Sequence, residues 1–135
     1  MDTQEVALEI PSPLYLDLRL WLAEYSTLPR RLDRVERLEE LRIALAVGEL
    51  AQAVVTMHAL IEMATYRPAD APRWNDGVRT RGMALLPELV AVAEQAGQWD
   101  EGDQRDADVA FRGASMWVRH ETARDQARVA GVEVA

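Results

Sequence analysis

Apolar residues along this chain recur chiefly three and four positions apart, the period of an amphipathic helix. The first such run is Leu14, Leu18, Trp21, Leu22 and Tyr25. Leucine also stands at every second position from Leu14 to Leu22, which is the period of a strand. Leucine favours helix, β-branched residues are missing here, and Ser12 followed by Pro13 reads as an N-cap with proline in the first turn. The pattern therefore predicts a helix from Ser12 to about Ser26. Residues 1–11 read as an extended or flexible entry, with Val6, Leu8 and Ile10 alternating before Pro11.

Ser26–Pro29 is a predicted turn, and helical periodicity resumes near Arg30 and continues to Tyr66. At 100° per residue, Leu50, Ala53, Val54, Met57, Leu60, Ile61 and Ala64 share one face. Val55, Ala59 and Met63 fall on another side, and Glu49, Gln52 and Thr56 form a polar strip. A helix apolar on two sides is either central to a bundle or touches a second partner. Gly48 can divide this stretch, because glycine in a helix interior costs about 1 kcal/mol relative to alanine. Residues 67–72 hold two prolines and read as a linker. A third helical region spans about Asn75 to Ala96, kinked or restarted at Pro87 and ended by Gly97. The last runs from about Asp103 to Ala130, with an expected inward stripe of Val109, Ala110, Gly113, Met116, Trp117, His120 and Ala123. Asp103, Asp106 and Asp108 suit its positive N-terminal end. The fold expected is all-α: a four- or five-helix bundle forming a single domain over residues 12–130, with a C-terminal tail at 131–135.

Composition narrows the chemistry. The 135 residues contain no cysteine and two histidines, so cysteine chemistry and a histidine-rich metal site are excluded. The net charge of −8 divides evenly between the two halves, and every basic residue is arginine. Arginine with abundant alanine and valine suggests a GC-rich bacterial genome. An evenly acidic surface repels phosphate backbones, making nucleic acid an unlikely partner, and no apolar run suggests a membrane span or signal peptide. A cytoplasmic protein is expected, with no cofactor.

Several constellations could carry function. His58 and Glu62 stand four apart and share a helix face; with His120 and Asp106 they would form a metal site, but each also reads as a structural residue. The acids at 100–108 miss the spacing of a calcium loop and suit a helix start. Arg30, Arg31 and Arg34 make a basic helix start, interleaved with acids as on a solvated helix. Glu36 and Glu39 supply half of the carboxylate pattern by which all-α nucleotide pyrophosphohydrolases hold magnesium, with no matching second half. Gly48–Ala53 and Gly97–Gly102 each resemble the turn of a tetratricopeptide unit, but stand 49 residues apart rather than ~34. Trp74 and Trp99 lie beside turns, where tryptophan can serve as a binding anchor. The reading this favours is a non-enzymatic protein–protein interaction or assembly module, self-associating or binding a protein partner through Val55, Ala59, Met63, Trp74, Trp99, Arg30, Arg31 and Arg34. The alternatives are a small metal-dependent hydrolase using helix carboxylates and a DNA-binding regulator.

Overall fold

The computed structural model describes residues 10–28, 32–68 and 76–131. They form five helices: α1 (Ser12–Tyr25), α2 (Leu32–Val47), α3 (Leu50–Met63), α4 (Gly77–Gln95) and α5 (Glu101–Val129), with no strand among the described residues. The all-α bundle expected from the periodicity is the fold observed. Residues 1–9 of the expected N-terminal segment, most of the proline linker and residues 132–135 lie outside the described residues.

The ambiguity in α1 is resolved by burial. Leu14, Leu18, Trp21, Leu22 and Tyr25 are buried, whereas Leu16 and Leu20 are each 59% exposed. A strand would have put all five alternating leucines on one face; the helix sends two of them to solvent. Ser12 does not cap this helix. Pro11 is the N-cap, in extended geometry, and its carbonyl accepts the Tyr15 N–H at 2.9 Å, while Ser12 is already helical.

Gly48 breaks the long second stretch into α2 and α3. It adopts φ 75°, and the Glu49 N–H behind it reaches back to the Ala44 carbonyl at 2.9 Å. This is the six-to-one bond of a Schellman termination, which needs a left-handed residue that glycine supplies without strain. Gly97 ends α4 in the same way, with Gln98 N–H on Ala93 O at 2.8 Å. The next helix starts at Glu101, two residues earlier than expected, with Asp100 as its N-cap. Asp100 accepts from the Asp103 N–H, and Asp103 accepts from the Asp100 N–H, both at 2.9 Å. Each side chain thereby satisfies a backbone donor at the α5 N-terminus. Pro87, by contrast, neither ends nor restarts its helix: α4 is continuous through it.

α3 is the hub. It packs against α2, α4 and α5, while α1 lies on α4 and touches α2 only lightly. Its buried face carries Leu50, Ala53, Val54, Met57, Leu60 and Ile61 into the main core. α1 is pinned there by two buried polar bonds, Trp21 Nε1–H to the Val78 carbonyl at 2.7 Å and Tyr25 O–H to the Leu60 carbonyl at 2.6 Å. Burial raises the Tyr25 phenol well above its ordinary pKa, so it remains a neutral donor. Gly82 lets α4 close on this cluster: a Cβ there would lie 2.8 Å from Trp21 Cζ2 and 2.9 Å from Ile61 Cγ1.

The α5 backbone closes on α3 and on no other helix. The residues it buries are Ala107, Ala114 and Asp125, with Ala110 and Trp117 partly covered. The expected inward stripe is therefore rotated. Val109 is 59% and Met116 68% exposed, and Gly113, His120 and Ala123 also face solvent. Small alanines and Trp117, rather than Val109 and Met116, meet α3.

Candidate functional site

Both α2 and α5 rest on α3, yet their backbones stay apart and only side chains bridge them. The space between them is a cleft of about 390 Å³, within the range of ~300–1,000 Å³ typical of ligand pockets. Its floor is the second apolar side of α3, Val55, Ala59 and Met63, flanked by Ala110 and Ala114 from α5. Its polar wall is Asp33, Arg37 and Glu40 from α2, with Gln52 and Thr56 from α3. Thr56 is almost wholly buried, and its hydroxyl oxygen accepts from Gln52 Nε2 at 3.1 Å. Arg37 pairs with Glu40 at 2.8 Å along the rim. Trp117 closes one end, its indole N–H donating to Asp33 Oδ2 at 2.7 Å across the gap.

Behind that closed end lies a buried polar and aromatic cluster. Arg34 is only 2% exposed, and its guanidinium donates to the Met63 carbonyl at 3.0 Å and the Tyr66 carbonyl at 2.6 Å. The last carbonyls of a helix have no partner within it, and a cation there also complements the negative end of the dipole. The same guanidinium stacks 5.1 Å over the Tyr66 ring and 5.5 Å over the Trp117 ring. Tyr66 meets Trp117 edge-on at 5.4 Å and donates its O–H to Asp125 Oδ2 at 2.5 Å. Asp125 in turn accepts from Arg128 on α5. One arginine from α2 thus joins the end of α3 to the middle and end of α5.

These positions revise several expectations. Arg34 belongs to the interior, not to an exposed basic face, because the C-terminal carbonyls of α3 and two aromatic rings are its surroundings. Ala59 and Met63 are buried against α5, so part of the second apolar side is used within the chain; Val55 stays half-exposed on the cleft floor. Trp99 is half-buried against the main core rather than displayed. Trp74, Arg30 and Arg31 lie outside the described residues.

The alternative metal set does not assemble. His120 points to solvent, and Asp106 is exposed in a shallow depression with Glu49 and Asp103. His58 is half-buried; desolvation holds its pKa below the ordinary histidine value, opposed by the charge of Asp108. Glu62 is partly exposed. Among the described residues no three His, Asp or Glu side chains converge as a metal ion would require. Glu39, half of the hydrolase pattern, is bound by Arg42, whose Nε–H donates to it at 3.0 Å and whose guanidinium holds its carboxyl below the usual carboxylate range. No helix among the described residues is long and apolar enough to cross a membrane.

The sequence placed Thr56 in a polar strip without marking it as part of a site, and did not single out Asp33. That strip was the available signal for the cleft's polar wall; nothing local marked Asp33 as the partner of a tryptophan 84 residues away. A second, larger cleft of about 570 Å³ lies between α1 and α2. Its walls are mostly apolar, and the charges at its mouth include Arg42, already held by Glu39. The α2–α5 cleft is the better candidate because polar and apolar groups from three helices converge in it. No protein-family model matches the sequence, and comparison with curated proteins and with solved structures finds no similar protein or fold.

Proposed function

We propose that this chain is a non-enzymatic interaction or assembly module that binds another helical surface across α2, α3 and α5. The observation that carries the reading is a cleft with apolar shoulders left open to solvent. On α2, Ile43 (48% exposed) and Val47 (40%) lie within about 60° of the cleft residue Glu40 by helical phase. On α5, Val109 and Met116 stand within about 60° of the cleft residue Gly113. Gly113 itself has open space where a side chain would begin. Exposed apolar residues scattered singly need no explanation, but these flank one concave face on both sides. A groove between two helices over a third suits an amphipathic helix, whose anchors at i, i+3 or i+4 and i+7 enter it from above.

The hydrolase alternative draws no support from the carboxylates, which are spread over separate helices or engaged with arginines. Site-specific photocrosslinking tests the interaction reading. A photoreactive residue replacing Gly113 or Val109 in living cells should trap a discrete protein adduct, whereas one replacing exposed Glu94 on α4 should not. Cleft positions that trap no more than the α4 control would overturn the reading.

A further inference from the structure

We infer that the occupant of this face is a second copy of the chain, placed by a two-fold axis running along the cleft so that α2 of each copy covers α5 of the other. The inference rests on the interaction reading above and adds the identity of the partner.

The directions of the helices permit it. Trp117 meets Asp33 near the start of α2, whereas Gln52, just past the α2–α3 turn, shares a depression with Asp103 and Asp106 at the start of α5. α2 and α5 are therefore antiparallel. An axis along the cleft lays the second copy's α2 antiparallel over α5 at the same level, and makes the reverse contact by symmetry, as an isologous interface requires. Val109 then faces Ile43 of the second copy, and the four helices close over the two clefts.

Charge is what selects this partner. Two chains of net charge −8 repel, so a self-contact must bring its own complementarity. α5 carries Arg105, Arg112 and Arg119, all exposed and spaced by sevens, on the outer side of Val109 and Met116. α2 carries exposed Glu36 and Glu39 on either side of its outer surface, with Ile43 and Glu36 close in phase. The covering arrangement sets Arg112 of one copy within a turn of Glu36 of the other, twice per dimer. An α5-on-α5 dimer would instead oppose arginine rows and is disfavoured.

Size-exclusion chromatography with light scattering on the full chain, across a concentration series, tests the pairing. The wild type should show the mass of two chains. Val109→Glu with Met116→Glu should halve it, with an unchanged circular dichroism spectrum, since both positions are already solvent-exposed. Arg112→Glu should raise the dissociation constant at least about tenfold, and adding Glu36→Arg should recover most of that loss. A wild type of one-chain mass at every concentration overturns the inference, as does a double charge reversal no tighter than the single one. A monomer whose Gly113 probe still traps a different protein defeats self-association and leaves the interaction reading standing; a monomer that traps nothing defeats both.

Discussion

Arg34 illustrates how a side chain that looks like surface chemistry becomes structural. Guanidinium is the least strongly hydrated common cation, and its planar fork can serve two carbonyls while its faces lie on rings. Here one terminal nitrogen serves the Met63 and Tyr66 carbonyls while the plane lies against the Tyr66 and Trp117 rings. Lysine keeps the charge but offers neither fork nor plane. Arg34→Met should lower stability by about 2–4 kcal/mol, since buried carbonyls lose their donor, and Arg34→Lys should fall between it and the wild type; urea unfolding measures both. His58 gives a second residue-scale expectation. Its folded pKa is depressed by burial, so the unfolded chain binds the proton more tightly. The stability held above pH ~6.5 is then lost as pH falls through the folded pKa. Unfolding free energies at pH 7.5 and 5.5 should differ less in His58→Gln than in the wild type. An equal difference in the two proteins would refute the assignment.

At the scale of elements, most helices were legible because each carried its own punctuation. Gly48 and Gly97 mark terminations that the backbone makes through left-handed residues, and the α1 stripe is a set of large apolar residues with a consistent phase. α5 was legible as a helix but not in its orientation. Val109 and Met116, which the periodicity placed inside, face solvent, while Ala107 and Ala114 meet α3. Hydrophobicity points to the larger side chains, whereas close helix approach selects the small ones, so the two signals disagree by roughly half a turn. The candidate site was legible by half for the same reason: Val55, Ala59 and Met63 announced a second apolar side, but its neighbours are set by tertiary packing. Pro87 was ambiguous because proline in a helix interior costs about 3 kcal/mol, and a helix can either break or carry the cost. α4 carries it, with Pro87 on the exposed face. Pro87→Ala restores a backbone donor and removes no buried packing. It should stabilise the protein by about 1–2 kcal/mol, after allowance for the greater freedom of the unfolded chain; a melting temperature at or below that of the wild type would contradict this.

At the scale of the whole molecule, the packing is unequal, and that inequality sets which part opens first. α3 is covered on three sides, whereas the α5 backbone closes only on α3, largely through alanines that bury little area each. Local opening draws on regions with few buried apolar contacts, so α5 should exchange its amide hydrogens sooner than α3. What holds its second half is the bond from Tyr66 to Asp125, together with Trp117 bridging to Asp33. Tyr66→Phe keeps the ring beside Trp117 and Arg34 but removes the donor to a buried carboxylate. A buried bond to a charged group is worth about 1.5–3 kcal/mol. Amides of residues 115–129 should therefore exchange roughly tenfold faster or more in Tyr66→Phe, with those of α3 changed much less. Uniform acceleration across all five helices would mean that α5 opens only with global unfolding. Selective acceleration would make α5 the separable wall of the cleft, able to shift on α3 as the face between α2 and α5 is filled.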